Sequence, residues 1–153
     1  MPERIVIVDT SCLIALTNIE AINILKELYK EVFITEEILN EFGESVPKWI
    51  KVEKVKNINY KKLLDQVLDT GEASAIALAL DFDNVLLILD DLKGRKEAEK
   101  LGFKITGTLG VLYKAKELGK INNLKEYLEK LKNVGFRISE NIEKEILKKS
   151  NES

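Results

Sequence analysis

Acidic residues follow two apolar runs of this chain that are typical of buried strands. Asp9 comes directly after Ile5–Val8, and Asp90 and Asp91 come after Val85–Leu89. Each acid alone could cap the helix that follows it. If the two strands are parallel neighbours, however, their carboxyl ends meet at one edge of a sheet, where ligands bind. Carboxylates gathered there repel one another unless a cation is present, so the spacing predicts a cation site.

Two glutamates are candidates for the same edge. Glu72 begins an alanine-rich stretch that predicts a closely packed helix, and its alternative role is a capping box with Asp69. Glu41 stands in the last turn of the predicted helix Glu36–Phe42, just before Gly43. A negative charge at that end opposes the helix dipole, which favours a functional reason for the residue.

The residues that are absent restrict the chemistry further. The chain has no histidine, which excludes a Ser-His-Asp or Cys-His arrangement within one chain. The single cysteine, Cys12, excludes intrachain disulfides and Cys-rich zinc sites, and its apolar surroundings predict a core position. Carboxylates and hydroxyls must then carry any chemistry, and the natural cation is Mg²⁺ or Mn²⁺, because hard metals prefer oxygen ligands.

Short Val- and Ile-rich runs alternate with segments of helical period, which predicts an α/β fold with a mostly parallel central sheet of four to five strands. The predicted strands are Arg4–Val8, Val32–Ile34, Val85–Leu89, Lys104–Thr106 and, more weakly, Val52–Val55. The predicted helices are Ser11–Thr17, Ala21–Tyr29, Glu36–Phe42, Tyr60–Leu68, Glu72–Asp81, Lys93–Leu101, Leu109–Leu118, Leu124–Asn133 and Ser139–Lys149. We expect one domain over residues 1–153, with 133–153 as a C-terminal helical extension.

Charge is unevenly distributed along the chain. Met1–Leu92 holds 9 basic and 17 acidic residues, whereas Lys93–Lys132 holds 11 basic and 5 acidic ones. Such a division suits a protein that binds cations at one place and a polyanion beside it, although lysines also simply solvate helix faces. No apolar run reaches the roughly 18 residues of a membrane span, and no signal peptide is apparent, so we expect a cytoplasmic protein. Heavy use of Lys, Glu and Ile leans towards a thermophilic source.

Taken together, the motifs resemble the PIN-domain family over nearly the whole chain. The matching segments are IVDTSCLIAL with Asp9, ILNEF with Glu41, GEASAIALA with Glu72 and LLILDDLKGR with Asp91. A subgroup of that family also has stretches like ITGTLGVL (Ile105–Leu112) and GFRIS (Gly135–Ser139). The resemblance implies a three-layer α/β/α Rossmann-like fold and hydrolysis of RNA with Mg²⁺ or Mn²⁺. It also implies a frequent homodimer, and the family includes VapC-type toxins, which have antitoxin partners.

The resemblance implies catalytic and metal-binding roles for Asp9, Glu41, Glu72 and Asp91. Asp91 is preferred as the fourth acid because it stands one residue further from the strand, and Asp90 is the alternative metal ligand.

Neighbouring residues are candidates for contacts with RNA. Hydroxyls of Thr10 or Ser11, and of Thr106 or Thr108, could orient water or a phosphate oxygen. Lys93 and Arg95 follow the acidic edge and could hold the RNA backbone; their alternative role is to solvate a helix.

The same residues bear on three other functions. Aspartyl phosphotransferases typically carry an Asp-x-Asp pair, but the second position here is Ser11. The segment Thr106–Gly110 lacks the Gly-Lys-Ser/Thr of a phosphate-binding loop, which argues against nucleotide hydrolysis. The remaining alternative is a PIN fold that binds RNA or a protein partner without cutting.

Overall fold

The computed structural model describes residues 4–152; Met1–Glu3, part of the N-terminal segment in which we expect no signal peptide, and Ser153 lie outside the described residues. The strands are β1 (Ile5–Val8), β2 (Glu31–Thr35), β3 (Ile50–Glu53), β4 (Val85–Ile88) and β5 (Lys104–Thr106). The helices are α1 (Thr10–Asn18), α2 (Asn23–Leu28), α3 (Glu36–Phe42), α4 (Ile58–Leu64), α5 (Thr70–Ala79), α6 (Leu92–Lys100), α7 (Thr108–Glu117), α8 (Leu124–Asn133) and α9 (Glu140–Lys149).

The five strands form one parallel sheet in the order β3-β2-β1-β4-β5. Strand β1 lies at its centre, where Ile5 pairs with Glu31 of β2 on one side and with Val85 of β4 on the other. A central parallel strand is buried on both faces and therefore reads as a continuous apolar run, as IVIV does. Helices flank the sheet, which confirms the predicted three-layer α/β/α fold.

Helix α5 packs closely against the sheet and holds its own first turn beside the carboxyl ends of the strands. It contacts β1, β2 and β4, and every residue from Gly71 to Ala79 is buried. The small side chains of Ala73, Ala75, Ala77 and Ala79 allow the helix to pack closely against the sheet and the neighbouring helices, as the sequence indicated. The start of α5 is consequently held against the carboxyl edge of the strands.

Most predicted elements shift by one or two residues at an end in the structure, and β3 and α4 illustrate the physical reasons. Strand β3 ends at Glu53 and not at Val55, because its partner strand, β2, ends at Thr35, the residue that pairs with Glu53. Helix α4 begins at Ile58, after the cap Asn57, and ends at Leu64. The predicted continuation to Leu68 is a turn, which brings the chain to the cap position of α5.

The C-terminal helices are attached by carboxylates. Glu152 accepts hydrogen bonds from the backbone N–H groups of Leu124 (2.7 Å) and Lys125 (3.0 Å), and so caps α8 from a distance in sequence. Its side chain also pairs with Lys116 at 2.9 Å. Burial alone would raise the pKa of Glu152, but these hydrogen bonds and the lysine lower it below its usual value. None of the helices in residues 4–152 is long and apolar enough to cross a membrane.

Candidate functional site

Acidic residues from neighbouring strands meet at the carboxyl edge of the sheet. Val8, the last residue of β1, pairs with Ile88, the last residue of β4. The next residue, Asp9, donates its backbone N–H to the carbonyl of Ile88 at 3.0 Å. Asp9 therefore lies beside the segment that leads from β4 into Asp90.

Asp9 is the most buried acid of the site, with 3% of its surface exposed. It occupies the N-cap position of α1, but its side chain does not make the capping hydrogen bond that would explain an aspartate there. Its pKa is raised to about 7, mainly by burial and to a smaller extent by the charges of Asp69, Glu41 and Asp90, while the backbone N–H of Thr10 lowers it. Helix capping thus does not account for Asp9.

Glu72 is the second buried acid, with 4% of its surface exposed. The predicted capping box is present: the N–H of Glu72 donates to Asp69 at 2.8 Å, and the N–H of Asp69 donates to Glu72 at 3.4 Å. Burial is again the largest cause that raises the pKa, here to about 8, and the charges of Asp69, Asp9 and Asp91 add to it. A carboxylate that only caps a helix can do so while it is exposed to solvent. The burial of Glu72 therefore needs a further reason.

Glu41 reaches the site from the last turn of α3, which ends at Gly43 with a left-handed φ of 75°. Its carboxylate accepts a hydrogen bond from the Thr10 hydroxyl at 2.6 Å. Gly71 makes this position possible, because a Cβ at residue 71 would collide with Oε1 of Glu41 and lie 3.1 Å from the Thr10 hydroxyl. Three distant segments of the chain are therefore in contact around Glu41.

The two aspartates after β4 have different neighbours. Asp90 accepts hydrogen bonds from the backbone N–H (2.8 Å) and the hydroxyl (2.6 Å) of Thr108. Asp91 caps α6 through the N–H groups of Lys93 (3.1 Å) and Gly94 (3.3 Å). The charge of Asp90 acts on Asp9, while that of Asp91 acts on Glu72. Both aspartates therefore border the site, Asp90 next to Asp9 and Asp91 next to Glu72.

The predicted substrate contacts fall into two groups. Ser11 and Lys93 are exposed, and Arg95 and Thr106 are half-buried along a cavity beside Asp90, so all four can meet a ligand. Thr108 is different: it is fully buried, and its hydroxyl donates to Asp90. The structure gives Thr108 a role in positioning Asp90, whereas Thr10 positions Glu41.

Two residues of the site, Asp69 and Gly71, are not among those predicted from the sequence, where Asp69 is expected only to cap a helix. The charge of Asp69 raises the pKa of both buried acids, and Gly71 provides the space for Glu41. Their common signal is the segment DTGE (residues 69–72), in which a cap, a glycine and a glutamate share one helical turn. A glycine in the first turn of a helix has no capping role of its own, so it indicates a close approach.

The acids of the site lack cationic partners. Within residues 4–152, no lysine or arginine forms an ion pair with Asp9, Glu41, Glu72, Asp90 or Asp91. In the same part of the chain, no three Asp, Glu or Cys side chains are arranged so that they could hold a metal ion as they stand. Several oxygens are instead occupied by the helix caps. The possible ligands are nevertheless all carboxylate oxygens, and two of these acids are buried. Such a set of donors fits a hard divalent cation chemically.

A comparison with protein families extends this result. Residues 5–152 match the family model DUF3368, which is described as a PIN domain. A comparison with curated proteins gave no match. PIN domains are generally nucleases and typically use divalent metal ions. Because the match covers nearly the whole chain, this protein belongs to the PIN-domain family.

Proposed function

We propose that this protein is a metal-dependent endoribonuclease that hydrolyses RNA phosphodiester bonds at the carboxyl edge of its sheet. One observation supports this above the others. Carboxylates from four separate chain segments gather at that edge, and two of them are buried. Within residues 4–152 none of them forms an ion pair with a lysine or an arginine. Burying uncompensated charge costs several kcal/mol in general, so such an arrangement persists where function requires it.

The proposed metal ligands are Asp9, Glu41, Glu72 and Asp91, with Asp90 as the alternative for the last. Bound Mg²⁺ or Mn²⁺ supplies a water of lowered pKa and neutralises charge on the phosphate. The chain contributes the placement. Thr10 orients Glu41, Thr108 orients Asp90, and β1 fixes Asp9 at the centre of the sheet. For the ligands to converge, the carboxylates of Glu72 and Asp91 must leave their helix caps, which a bound cation would favour.

The proposed RNA contacts lie beside the acids. The backbone of α6 starts at the acidic edge, and Lys93, Lys96 and Lys100 line one cavity along it while Arg95 lines another. Ser11 is exposed at the start of α1, close to Asp9, and Thr106 ends β5. Positive charge that flanks an acidic site matches a polyanionic substrate whose scissile phosphate lies over the metal.

A second candidate function is RNA or partner binding without cleavage. It is favoured by the geometry of residues 4–152, in which the carboxylates serve helix caps and no three of them surround one point. Calorimetric titration with Mn²⁺ separates the two functions. A nuclease should bind Mn²⁺ specifically, and Asp9→Asn should remove that binding, whereas a scaffold should show neither effect.

The resemblance to VapC-type proteins suggests two further proposals, namely a toxin role with an antitoxin partner and a homodimer. A small antitoxin-like reading frame beside the gene would support the first. For the second, the exposed Ile142 on α9 offers an apolar surface. A monomer in sedimentation at high concentration would contradict the dimer.

The nuclease proposal is tested by cleavage of labelled single-stranded RNA with Mn²⁺. We expect cleavage by the wild type, its loss with EDTA, and a fall of at least about a hundredfold in Asp9→Asn. The matched control is Asp83→Asn, which removes the same charge from an exposed turn before β4, at the opposite end of that strand. Undiminished cleavage by Asp9→Asn would refute the proposal.

A further inference from the structure

A cavity of about 410 Å³ lies beside the acidic site, between the starts of α6 and α7 and the segment that joins α8 to α9. Asp90 is in its lining, so the cavity opens directly next to the acids. We propose that it binds one unpaired nucleotide of a single-stranded RNA, next to the phosphate over the acids. This proposal rests on the proposed function and adds to it a subsite for one nucleotide, with the residues that form it.

Two arginines supply the charge for a phosphate. Arg95, on α6, and Arg137, which follows α8, both line the cavity. Within residues 4–152 neither guanidinium forms an ion pair with a carboxylate. The acid in the lining, Asp90, already accepts two hydrogen bonds from Thr108. A guanidinium binds phosphate through two parallel N–H donors. Two guanidinium groups that line one cavity therefore favour the binding of a phosphate there.

An aromatic ring supplies a surface for a base. Phe136 also lines the cavity; it is half-buried and packs against the hydrophobic core, which holds the ring in place. Its backbone N–H donates to the carbonyl of Leu131 at 2.9 Å, and this bond fixes the turn that presents the ring. Bases of single strands stack on such rings with little dependence on sequence. Because Phe136 and Arg137 line the same cavity, one nucleotide can place its base on the ring and its phosphate at the guanidinium.

The cavity belongs to a path that crosses the acids. With 3.6 residues per helical turn, α6 places Lys93, Lys96 and Lys100 on one flank and Arg95 on the other. The three lysines line a second cavity of about 340 Å³. Between the flanks, Gly94 faces the Glu72 carboxylate, since a Cβ there would lie 3.4 Å from Oε2. A strand that enters at the arginines therefore passes the acids before it reaches the lysines.

This geometry selects against a duplex. A base that enters the cavity must leave the base stack. Unstacking and unpairing a base costs a few kcal/mol in a duplex, and the cost is least when the RNA is already single-stranded. Sequence-tolerant stacking and phosphate contacts together are the usual means by which proteins hold single strands.

The proposal is tested by binding, in the Asp9→Asn background, so that the RNA is not cut. Fluorescence anisotropy with a labelled ten-nucleotide single-stranded RNA is measured over a range of salt concentrations in EDTA. Arg137→Ala should raise Kd about tenfold and lower the salt slope by about 0.7, which corresponds to one phosphate contact on a single strand. Phe136→Leu should raise Kd about tenfold with an unchanged slope, because it removes stacking and no charge.

The matched control is Lys30→Ala, which removes a positive charge from the exposed residue before β2, at the opposite edge of the sheet. Its Kd should stay within about twofold of the background protein, and melting curves exclude loss of fold in each variant. A duplex of the same sequence should bind more weakly and be insensitive to Phe136→Leu.

Two outcomes overturn the proposal: wild-type affinity in both Arg137→Ala and Phe136→Leu, or equal losses for the single strand and the duplex. The nuclease proposal fails separately. If the wild type does not cut RNA but the two variants still weaken binding, the cavity stands without the nuclease. If it cuts and the variants bind normally, the nuclease stands without the cavity.

Discussion

Replacing Asp9 with asparagine should make the metal-free protein more stable while it removes the proposed activity. Asn has the shape of the protonated acid but cannot ionise. The pKa of Asp9 is raised from an ordinary 3.8 to about 7, mainly by burial. Between these values the folded chain binds more protons than the unfolded chain, so the wild type loses stability as pH rises from about 4 to about 7. Asp9→Asn should escape that loss.

The size of the effect follows from the pKa. At about 1.4 kcal/mol per pH unit, the change from 3.8 to about 7 corresponds to about 4 kcal/mol above pH 7. Structural relaxation around the charge lowers this figure, so we expect Asp9→Asn to gain about 2–4 kcal/mol at pH 8 and almost nothing at pH 4. For a chain of this length, the gain corresponds to a rise in Tm of roughly 4–16 °C.

The assay is urea unfolding at pH 4 and pH 8 with EDTA present, followed by circular dichroism. Asp83→Asn serves as the control and should change the free energy of unfolding by less than about 0.5 kcal/mol at both pH values, because its side chain is exposed. If Asp9→Asn is less stable than the wild type at pH 8, the Asp9 charge is compensated, and the reasoning about the site is wrong.

Three more predictions concern the site and its support. Divalent metal should raise Tm more at pH 8 than at pH 5, since the pKa of Glu72 is raised to about 8 and both buried acids must ionise to bind a cation; an equal rise at both pH values in thermal melts would contradict this. Gly71→Ala should leave Tm unchanged or raise it slightly, because alanine favours a helix by up to about 1 kcal/mol. The same variant should lower RNA cleavage at least about tenfold, because the new Cβ displaces Glu41. Normal cleavage would show that Glu41 is dispensable. Glu152→Gln should lower the free energy of unfolding by about 1–2 kcal/mol, because the charged cap of α8 is lost. The pKa of Glu152 is lowered, so the difference in stability between the variant and the wild type should shrink in acid, where the carboxylate is protonated. A difference that stays constant down to pH 3 would refute the capping role.

The layered fold was predictable because its strands are buried on both faces. Ile5–Val8 and Val85–Ile88 are continuous apolar runs, and this pattern specifies central parallel strands without tertiary information. The limits of β3 were not predictable, because an edge strand buries only part of its residues. Ile50 packs into the core while Val52 faces solvent, so hydrophobicity alone places the strand two residues too late.

The candidate site was predictable as a set of residue types and less so as a geometry. Position after a strand identified Asp9, and an unfavourable helix end identified Glu41. The sequence could not show that Thr10 connects these two segments, or that Gly71 provides the space, because both depend on a contact between residues far apart in the chain. For the same reason Thr108, predicted to face a substrate, is buried against Asp90.

The strand order has a consequence for how the protein is made. While the chain is being synthesised, β1, β2 and β3 can pair before β4 exists, and β1 then presents an open apolar edge. Such edges recruit strands from other molecules and lead to aggregation. Strand β4 covers that edge, and it is the same strand that delivers Asp90 and Asp91. The pairing of β4 with β1 therefore covers the open edge of β1 and brings the last two acids to the site in the same event.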